Sequence, residues 1–227
     1  MSPPRLLQLD VNAWPGRISP VYPPDAPRNP TLVSPPFPEI APTMTLAFER
    51  QIKLPALTLV VGGARSGKSR IAENLVVSSG LRRNYLATAE AFDDEMRARI
   101  AQHQVDRGAA WQTWNAPLDL DHTLARIPAG EVVLLDCATL WLSNHVMAGS
   151  NIAEKSAGLI AALRACASPV VVVSNEVGWG IVPENALART FRDHQGRLNQ
   201  QIAERAELVI GVMAGLPMVL KGQMPKG

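Results

Sequence analysis

The sequence predicts an α/β fold in which helices flank a mostly parallel sheet. Short apolar runs rich in β-branched residues recur from Leu57 onward, and longer stretches with helical spacing separate them. Parallel strands need long crossover connections that are usually helical, so this alternation favours a parallel sheet. No internal repeat with a period of about 20 to 50 residues occurs, which excludes solenoids and propellers. The length of 227 residues suffices for one large domain with a sizeable core.

Five runs are predicted to form strands, and a sixth, short run is expected at an edge of the sheet. The first strand, LTLVV, is followed directly by a glycine-rich turn and by the helical stretch RIAENLVVSS. In chain order the strands are LTLVV (57–61), NYLATA (84–89), VVLLDC (132–137), PVVVVSNE (169–176) and ELVIGVMAG (207–215), with MVLKG as the edge strand.

Composition excludes several functional classes. The formal net charge of +2 provides no strong basic field for binding nucleic-acid backbones. The longest apolar stretch, Val132 to Leu142, is too short to span a bilayer. Cys137 and Cys166 lack CxxC spacing, so both are interpreted as reduced core thiols. The amino terminus does not have the pattern of a secretory signal, and we expect a cytoplasmic protein.

Proline divides the chain into two regions. Residues 1–50 contain 12 of the 19 prolines, and Gly16 is the only glycine among them. Because proline removes backbone donors and resists helix formation, this region is predicted to be an extended, disordered tail, and residues 51–227 to form the folded domain. The tail is either a dispensable extension, including the case of a true start at Met44, or a ligand for a proline-recognising partner.

The segment GGARSGKS directly after the first strand matches the P-loop pattern G-x-x-x-x-G-K-[ST] in its required strand–turn–helix context. Backbone N–H groups of such a loop surround phosphate oxygens, the lysine supplies a positive charge and the final hydroxyl can bind Mg²⁺. The loop residues predicted to bind the nucleotide are Gly62, Gly63, Ala64, Arg65, Ser66, Gly67, Lys68 and Ser69, and Lys68 is also predicted to be catalytic. Arg99 and Asp136 are predicted to bind the nucleotide as well.

Asp136 ends the strand VVLLDC and is predicted to lie at the carboxyl edge of the sheet. A P-loop protein needs an acidic residue there to hold Mg²⁺, so Asp136 is a Walker B candidate and, with Ser69, a predicted metal ligand. An aspartate at a strand end can also simply cap the next helix. The presence of the P-loop favours the metal role.

His103 lies in a predicted helix, AFDDEMRARIAQHQVDRG, with Arg99 one turn before it and Arg107 one turn after it. A neutral imidazole can attack phosphorus, and the two arginines are available to neutralise phosphoryl oxygens. Pattern alone also allows a packed or exposed histidine without a chemical role.

Glu176 is predicted at the carboxyl end of the PVVVVSNE strand, next to a segment in which Gly178 and Gly180 permit a tight loop. Arg189 and Arg192 follow on the next helix. These three side chains are weaker candidates for organising the site, since a solvated helix face has the same charge pattern.

Four segments together resemble the bifunctional adenosylcobinamide kinase/adenosylcobinamide-phosphate guanylyltransferase family of cobalamin biosynthesis. They are GGARSGKSR, DDEMRARIAQHQVDRG, LLDCATLWLSN and SNEVGWGIVPENALARTFRDHQGRLNQ. The likeness runs from about residue 57 to residue 222, and the blocks follow the order of the family. The glycine loop NEVGWGIVPE and the histidine helix are far more specific than the P-loop.

The resemblance implies two reactions on one domain. A nucleoside triphosphate, ATP or GTP, phosphorylates adenosylcobinamide, and GTP then donates GMP to adenosylcobinamide phosphate. His103 matches the histidine that is guanylylated in the family, and Mg²⁺ is the expected cofactor. The resemblance also implies a homo-oligomer, a trimer.

Asn115 departs from the family pattern, which usually has glutamate after the W-x-T block. In this chain, any guanine or substrate contact that the carboxylate makes in the family is therefore weakened or replaced. Two other functions stay open from the residues alone: a P-loop small-molecule kinase that lacks the transfer step, and a GTP-binding regulatory module that recruits a partner through the tail.

Overall fold

The computed structural model describes residues 51–89 and 110–226. The predicted tail and the segment with Arg99, His103 and Arg107 lie outside these residues. The described elements are β1 (Leu57–Gly62), α1 (Lys68–Ser78), β2 (Arg83–Ala87), β3 (Trp111–Asn115), α2 (Leu120–Leu124), β4 (Val132–Asp136), α3 (Ala138–Met147), α4 (Ile152–Ala165), β5 (Val170–Asn175), α5 (Ala186–Arg205), β6 (Leu208–Met213) and β7 (Leu216–Lys221).

The strands form one seven-stranded sheet in the order β3-β2-β4-β5-β1-β6-β7. All neighbours are parallel except β6 and β7, which form an antiparallel hairpin. The predicted α/β class with a mostly parallel sheet is therefore confirmed, and the short final run forms an edge strand as expected.

The strand β3 was not among the predicted strands. In its sequence WQTWN both tryptophans are half-buried and the three polar residues are exposed, as suits a strand at the edge of the sheet. Only five residues long and half polar, it lacks the continuous apolar run by which the central strands are recognised. Pairing with β2 decides its conformation.

Two apolar layers cover the sheet, one on each face. Alternate residues of the strands point to opposite faces, so Val60, Leu134 and Val171 pack with helix α1 while Leu59, Leu135 and Val172 pack with the other four helices. Helix α1 contributes the buried residues Ile71, Ala72, Leu75 and Val76. The central strands β1, β4 and β5 are buried on both faces, which explains their continuous apolar sequences.

The hairpin of β6 and β7 exposes part of its apolar surface. Leu216, Met218, Val219 and Leu220 on β7 are each between 45% and 63% exposed. In the described part of the chain, no helix is both long and apolar enough to cross a bilayer.

Candidate active site

The P-loop connects the end of β1 at Gly62 to the start of α1 at Lys68, between the neighbouring strands β5 and β6. Gly67 has a φ of 93°, a left-handed conformation that favours glycine, and its carbonyl accepts the first helical bond from the Ile71 N–H at 3.2 Å. The loop therefore ends at a helix N-terminus, where backbone N–H groups and the helix dipole favour an anion.

Close packing against the end of β6 fixes the shape of the loop. A Cβ added to Gly62 would lie 2.5 Å from the Val212 carbonyl oxygen, and one added to Gly67 would lie 3.2 Å from the Cα of Gly215. The Gly215 N–H donates to the Ser66 carbonyl at 2.8 Å. The two glycines of the pattern thus allow a backbone contact that no side chain would fit.

Lys68 and Ser66 supply polar groups inside this loop. The Lys68 Nζ donates to the Gly63 carbonyl at 3.2 Å, so the side chain folds back over the loop. The Ser66 hydroxyl is buried and has no hydrogen-bond partner among the described residues. A buried hydroxyl without a partner is costly, and a phosphate oxygen in the loop would satisfy it.

As the sequence predicted, Asp136 ends β4 at the carboxyl edge of the sheet. Its side chain is half-buried. The period of two places it on the face of Leu134, which is the face that α1 covers. The Tyr85 hydroxyl on β2 donates to Asp136 Oδ2 at 3.1 Å.

The donor set fits Mg²⁺ better than a transition metal. Ser69, half-buried in the first turn of α1, and Asp136 offer a hydroxyl and a carboxylate oxygen. The described residues hold no group of three or more histidine, cysteine or acidic side chains suited to a metal ion. Mg²⁺ typically takes one or two protein oxygens together with substrate phosphates.

Glu176 leaves β5 beside the P-loop. Its backbone N–H donates to the Gly62 carbonyl at 3.0 Å, and its Oε1 accepts from the Gly178 N–H at 2.6 Å. The side chain borders a cavity of about 560 Å³ that is also lined by the end of β1, the P-loop, the hairpin and Trp179. Apolar side chains dominate these walls: Val61, Trp179, Val212, Met213, Met218 and Leu220.

A buried polar cluster under the site fixes the end of β5. The Asn175 N–H donates to Thr139 Oγ1 at 2.7 Å, and the Asn175 carbonyl accepts from Asn199 Nδ2 at 3.0 Å. Asn199 Oδ1 also accepts from the Ser174 hydroxyl at 2.6 Å and from Gln195 Nε2 at 2.9 Å. This cluster was not predicted from the sequence. Its signal was the Gln-x-x-x-Asn spacing, which places both amides on the buried face of α5.

Arg189 and Arg192 are held locally. Arg189 Nη1 donates to the carbonyls of Pro183 and Glu184 at 2.9 and 2.6 Å, which braces the loop before α5. Arg192 lies 3.8 Å from the neighbouring Asp193 carboxylate. The geometry thus assigns Arg189 a role in loop structure, and its predicted contact with substrate stays a prediction.

Both cysteines are free, as predicted. Cys137 is buried in the core, and Cys166 is half-buried and packs against it. Burial, with the Asp136 charge beside it, raises the pKa of Cys137 to about 11, and burial also raises the pKa of Cys166. Both thiols are protonated at neutral pH and are poor nucleophiles.

Comparison with known proteins identifies the family. The model of the family described as "Cobinamide kinase / cobinamide phosphate guanyltransferase" matches residues 58–220. The chain belongs to this family. Its match covers the P-loop, Asp136, Glu176 and the segment with His103.

Curated relatives of this kinase and guanyltransferase family are similar over nearly their whole length. The bifunctional adenosylcobalamin biosynthesis protein CobP of Pseudomonas aeruginosa is 46% identical, over 73% of this chain and 97% of that protein. The proteins named CobU of Escherichia coli and Salmonella typhimurium are 42% and 41% identical, each over 73% of this chain and 99% of their own.

Two solved structures are similar to this chain at low sequence identity. One is the RadB recombinase, with a TM-score of 0.40 and 19% identity over 70% of this chain and 74% of that one. The other is the flagellar accessory protein FlaH from Methanocaldococcus jannaschii, with a TM-score of 0.41 and 13% identity over 75% of this chain and 86% of that one.

Proposed function

We propose that this protein phosphorylates adenosylcobinamide with ATP or GTP and then transfers GMP from GTP to adenosylcobinamide phosphate through a guanylyl-His103 intermediate. The observation that carries the proposal is the P-loop at the carboxyl edge of the sheet, with Asp136 ending a strand at the same edge, in a chain of the cobinamide kinase and guanyltransferase family.

In the first reaction, the substrate hydroxyl attacks the γ-phosphorus and the nucleoside diphosphate leaves. The P-loop N–H groups, Lys68 and the Ser66 hydroxyl bind the phosphate oxygens and hold the nucleotide for this attack. Mg²⁺, when bound through Ser69 and Asp136, would neutralise charge on the β- and γ-phosphates.

In the second reaction, the His103 imidazole attacks the α-phosphorus of GTP and pyrophosphate leaves. An oxygen of adenosylcobinamide phosphate then attacks the same phosphorus, which forms adenosylcobinamide-GDP and frees the imidazole. Lys68, Arg99 and Arg107 are proposed to balance the charge of the departing pyrophosphate. Glu176, Arg189 and Arg192 remain weaker candidates for organising the site.

We propose that the protein acts in the cytoplasm as a homotrimer and binds no nucleic acid. The near-neutral net charge supports the absence of nucleic-acid binding, and the exposed apolar side chains of the β6–β7 hairpin support self-association. The trimer is what the resemblance to the family implies.

Incubation with Mg²⁺ and α-³²P-GTP, followed by a denaturing gel, tests the intermediate. We expect protein-bound label that is acid-labile and alkali-stable, as a phosphoramidate is, and that disappears in His103→Ala. The same variant should retain phosphorylation of adenosylcobinamide, because that step does not use the imidazole.

Wild-type protein that binds GTP and phosphorylates the substrate without taking up label would indicate a kinase without the transfer step. Slow hydrolysis without any turnover of the corrinoid would indicate a regulatory module.

A further inference from the structure

The end of β2 contacts the end of β4 at the residue proposed to hold the metal. The Tyr85 hydroxyl donates to Asp136 Oδ2 at 3.1 Å, and the tyrosine is only 6% exposed. The Tyr85 ring packs edge-on against Trp111 on β3, with 6.3 Å between the ring centroids. The hydroxyl is therefore held in one place by a packed ring.

The peptide after Asp136 is held from the same strand end. Thr88 follows β2 and is fully buried. Its Oγ1 accepts from the Cys137 N–H at 2.8 Å and donates to the Cys137 carbonyl at 2.8 Å. Asn144 Nδ2 donates to the Thr88 carbonyl at 2.8 Å and so secures Thr88 itself. Both the side chain and the following backbone of Asp136 are fixed.

We propose that Tyr85 is a positioning residue for Asp136, which orients the carboxylate for the metal–nucleotide complex. A hydrogen bond to one carboxylate oxygen restricts rotation about the Cβ–Cγ bond. Mg²⁺ demands near-ideal octahedral geometry. The free-energy cost of ordering the carboxylate on metal binding is therefore smaller when the carboxylate is already oriented. This inference rests on the metal role of Asp136 given under the proposed function.

Tyr85→Phe tests the inference because it removes one hydroxyl and keeps the ring. The measurement is nucleotide binding titrated with Mg²⁺, together with nucleotide affinity in the absence of divalent metal. We expect the Mg²⁺ concentration for half-maximal binding to rise roughly tenfold or more, as is typical for loss of a residue that orients a metal ligand. Affinity for the metal-free nucleotide should stay unchanged.

Ser79→Ala is the matched control. Its hydroxyl is buried and donates to the Val76 carbonyl at 2.6 Å, just after the end of α1 that is far from the P-loop. Both variants lose one buried hydroxyl, so both should melt at slightly lower temperature, and only Tyr85→Phe should change the Mg²⁺ titration. An unchanged titration in Tyr85→Phe would overturn the positioning role and leave a structural one.

Asp136→Asn separates this inference from the proposed metal site. If Asp136→Asn raises the Mg²⁺ requirement, the double variant with Tyr85→Phe should be no worse, because the hydroxyl acts through the carboxylate. A further rise in the double variant contradicts the inference. If Asp136→Asn leaves the Mg²⁺ titration unchanged, the metal role of Asp136 itself is wrong, and the positioning role of Tyr85 fails with it.

Discussion

Individual polar residues in the core of this protein form hydrogen bonds that hold the backbone near the candidate active site. Thr88 and Asn199 are buried, and each binds a peptide at the carboxyl end of a central strand. A buried polar group without a partner costs about 1 to 3 kcal/mol, so such groups persist only with their partners in place. At this scale, the polar residues fix where Asp136 and Glu176 leave the sheet.

His145 predicts a pH dependence of stability. The residue is 3% exposed, and burial lowers the pKa of its imidazole below the usual 6.5. The folded state therefore takes up a proton less readily than the unfolded state. The stability that the neutral His145 side chain contributes is fully present above the pKa of the histidine in the unfolded state. It is lost as pH falls from that value toward the lower pKa of the folded state.

Urea unfolding at several values between about pH 5.5 and pH 7.5 checks this prediction, because the histidine titrates in that range. Wild-type protein should lose unfolding free energy as pH falls. The variant His145→Gln should be less stable at neutral pH and should lose less on acidification. Equal slopes for the two proteins would show that His145 does not cause the dependence.

At the scale of elements, the connection from β1 to α1 forms the P-loop of the candidate active site. The strand brings Gly62 to the edge between β5 and β6, and α1 begins directly after Gly67. The carboxyl ends of parallel strands meet at one edge, so β4 and β5 bring Asp136 and Glu176 to the same side of the sheet.

Gly62→Ala should damage the loop, because its Cβ would lie 2.5 Å from the Val212 carbonyl oxygen. We expect a loss of about 1 to 3 kcal/mol in unfolding free energy, the usual cost of overpacking, together with weaker nucleotide binding. Denaturant unfolding and a nucleotide titration measure the two effects.

The matched variant Gly63→Ala adds the same methyl group one residue later, where nothing lies within 4 Å. Its unfolding free energy should stay within about 0.5 kcal/mol of wild type. Similar losses in both variants would mean that the contact between Gly62 and β6 is not what constrains this position.

The whole molecule combines the described domain with a proline-rich amino-terminal region. Ile52 and Leu54 are 4% and 6% exposed and pack in the layer that contains α1. The Ile52 N–H donates to the Ser78 carbonyl at 3.0 Å. The packed core thus includes residues just after the proline-rich region.

Two truncations test where the domain begins. A chain that starts at Met44 keeps Ile52 and Leu54 and should retain its melting temperature and both activities. A chain that starts at Ala56 loses both side chains. Burial of each contributes about 1.5 to 3 kcal/mol to the free energy of unfolding, so this chain should melt at clearly lower temperature. Loss of either activity in the Met44 chain would show that the tail contributes to function.

The sequence alone predicted most of the sheet and the P-loop, because these depend on local pattern. Continuous apolar runs identify strands that are buried on both faces, and the glycines, Lys68 and Ser69 stand next to one another in the chain. The edge strand β3 and the polar cluster of Ser174, Gln195 and Asn199 could not be predicted in this way. The strand β3 depends on its pairing with β2, and the polar cluster depends on contacts between α5 and the end of β5.

The sequence by itself determined the fold class and the phosphate loop, since these follow from residue type and spacing along the chain. The two reactions came from the resemblance of its motifs to a known family. Tertiary structure decided which strands are neighbours, that Tyr85 and Thr88 hold the end of β4, and that Arg189 braces its own loop. These contacts depend on distances between segments that are remote in sequence, and folding alone brings those segments together.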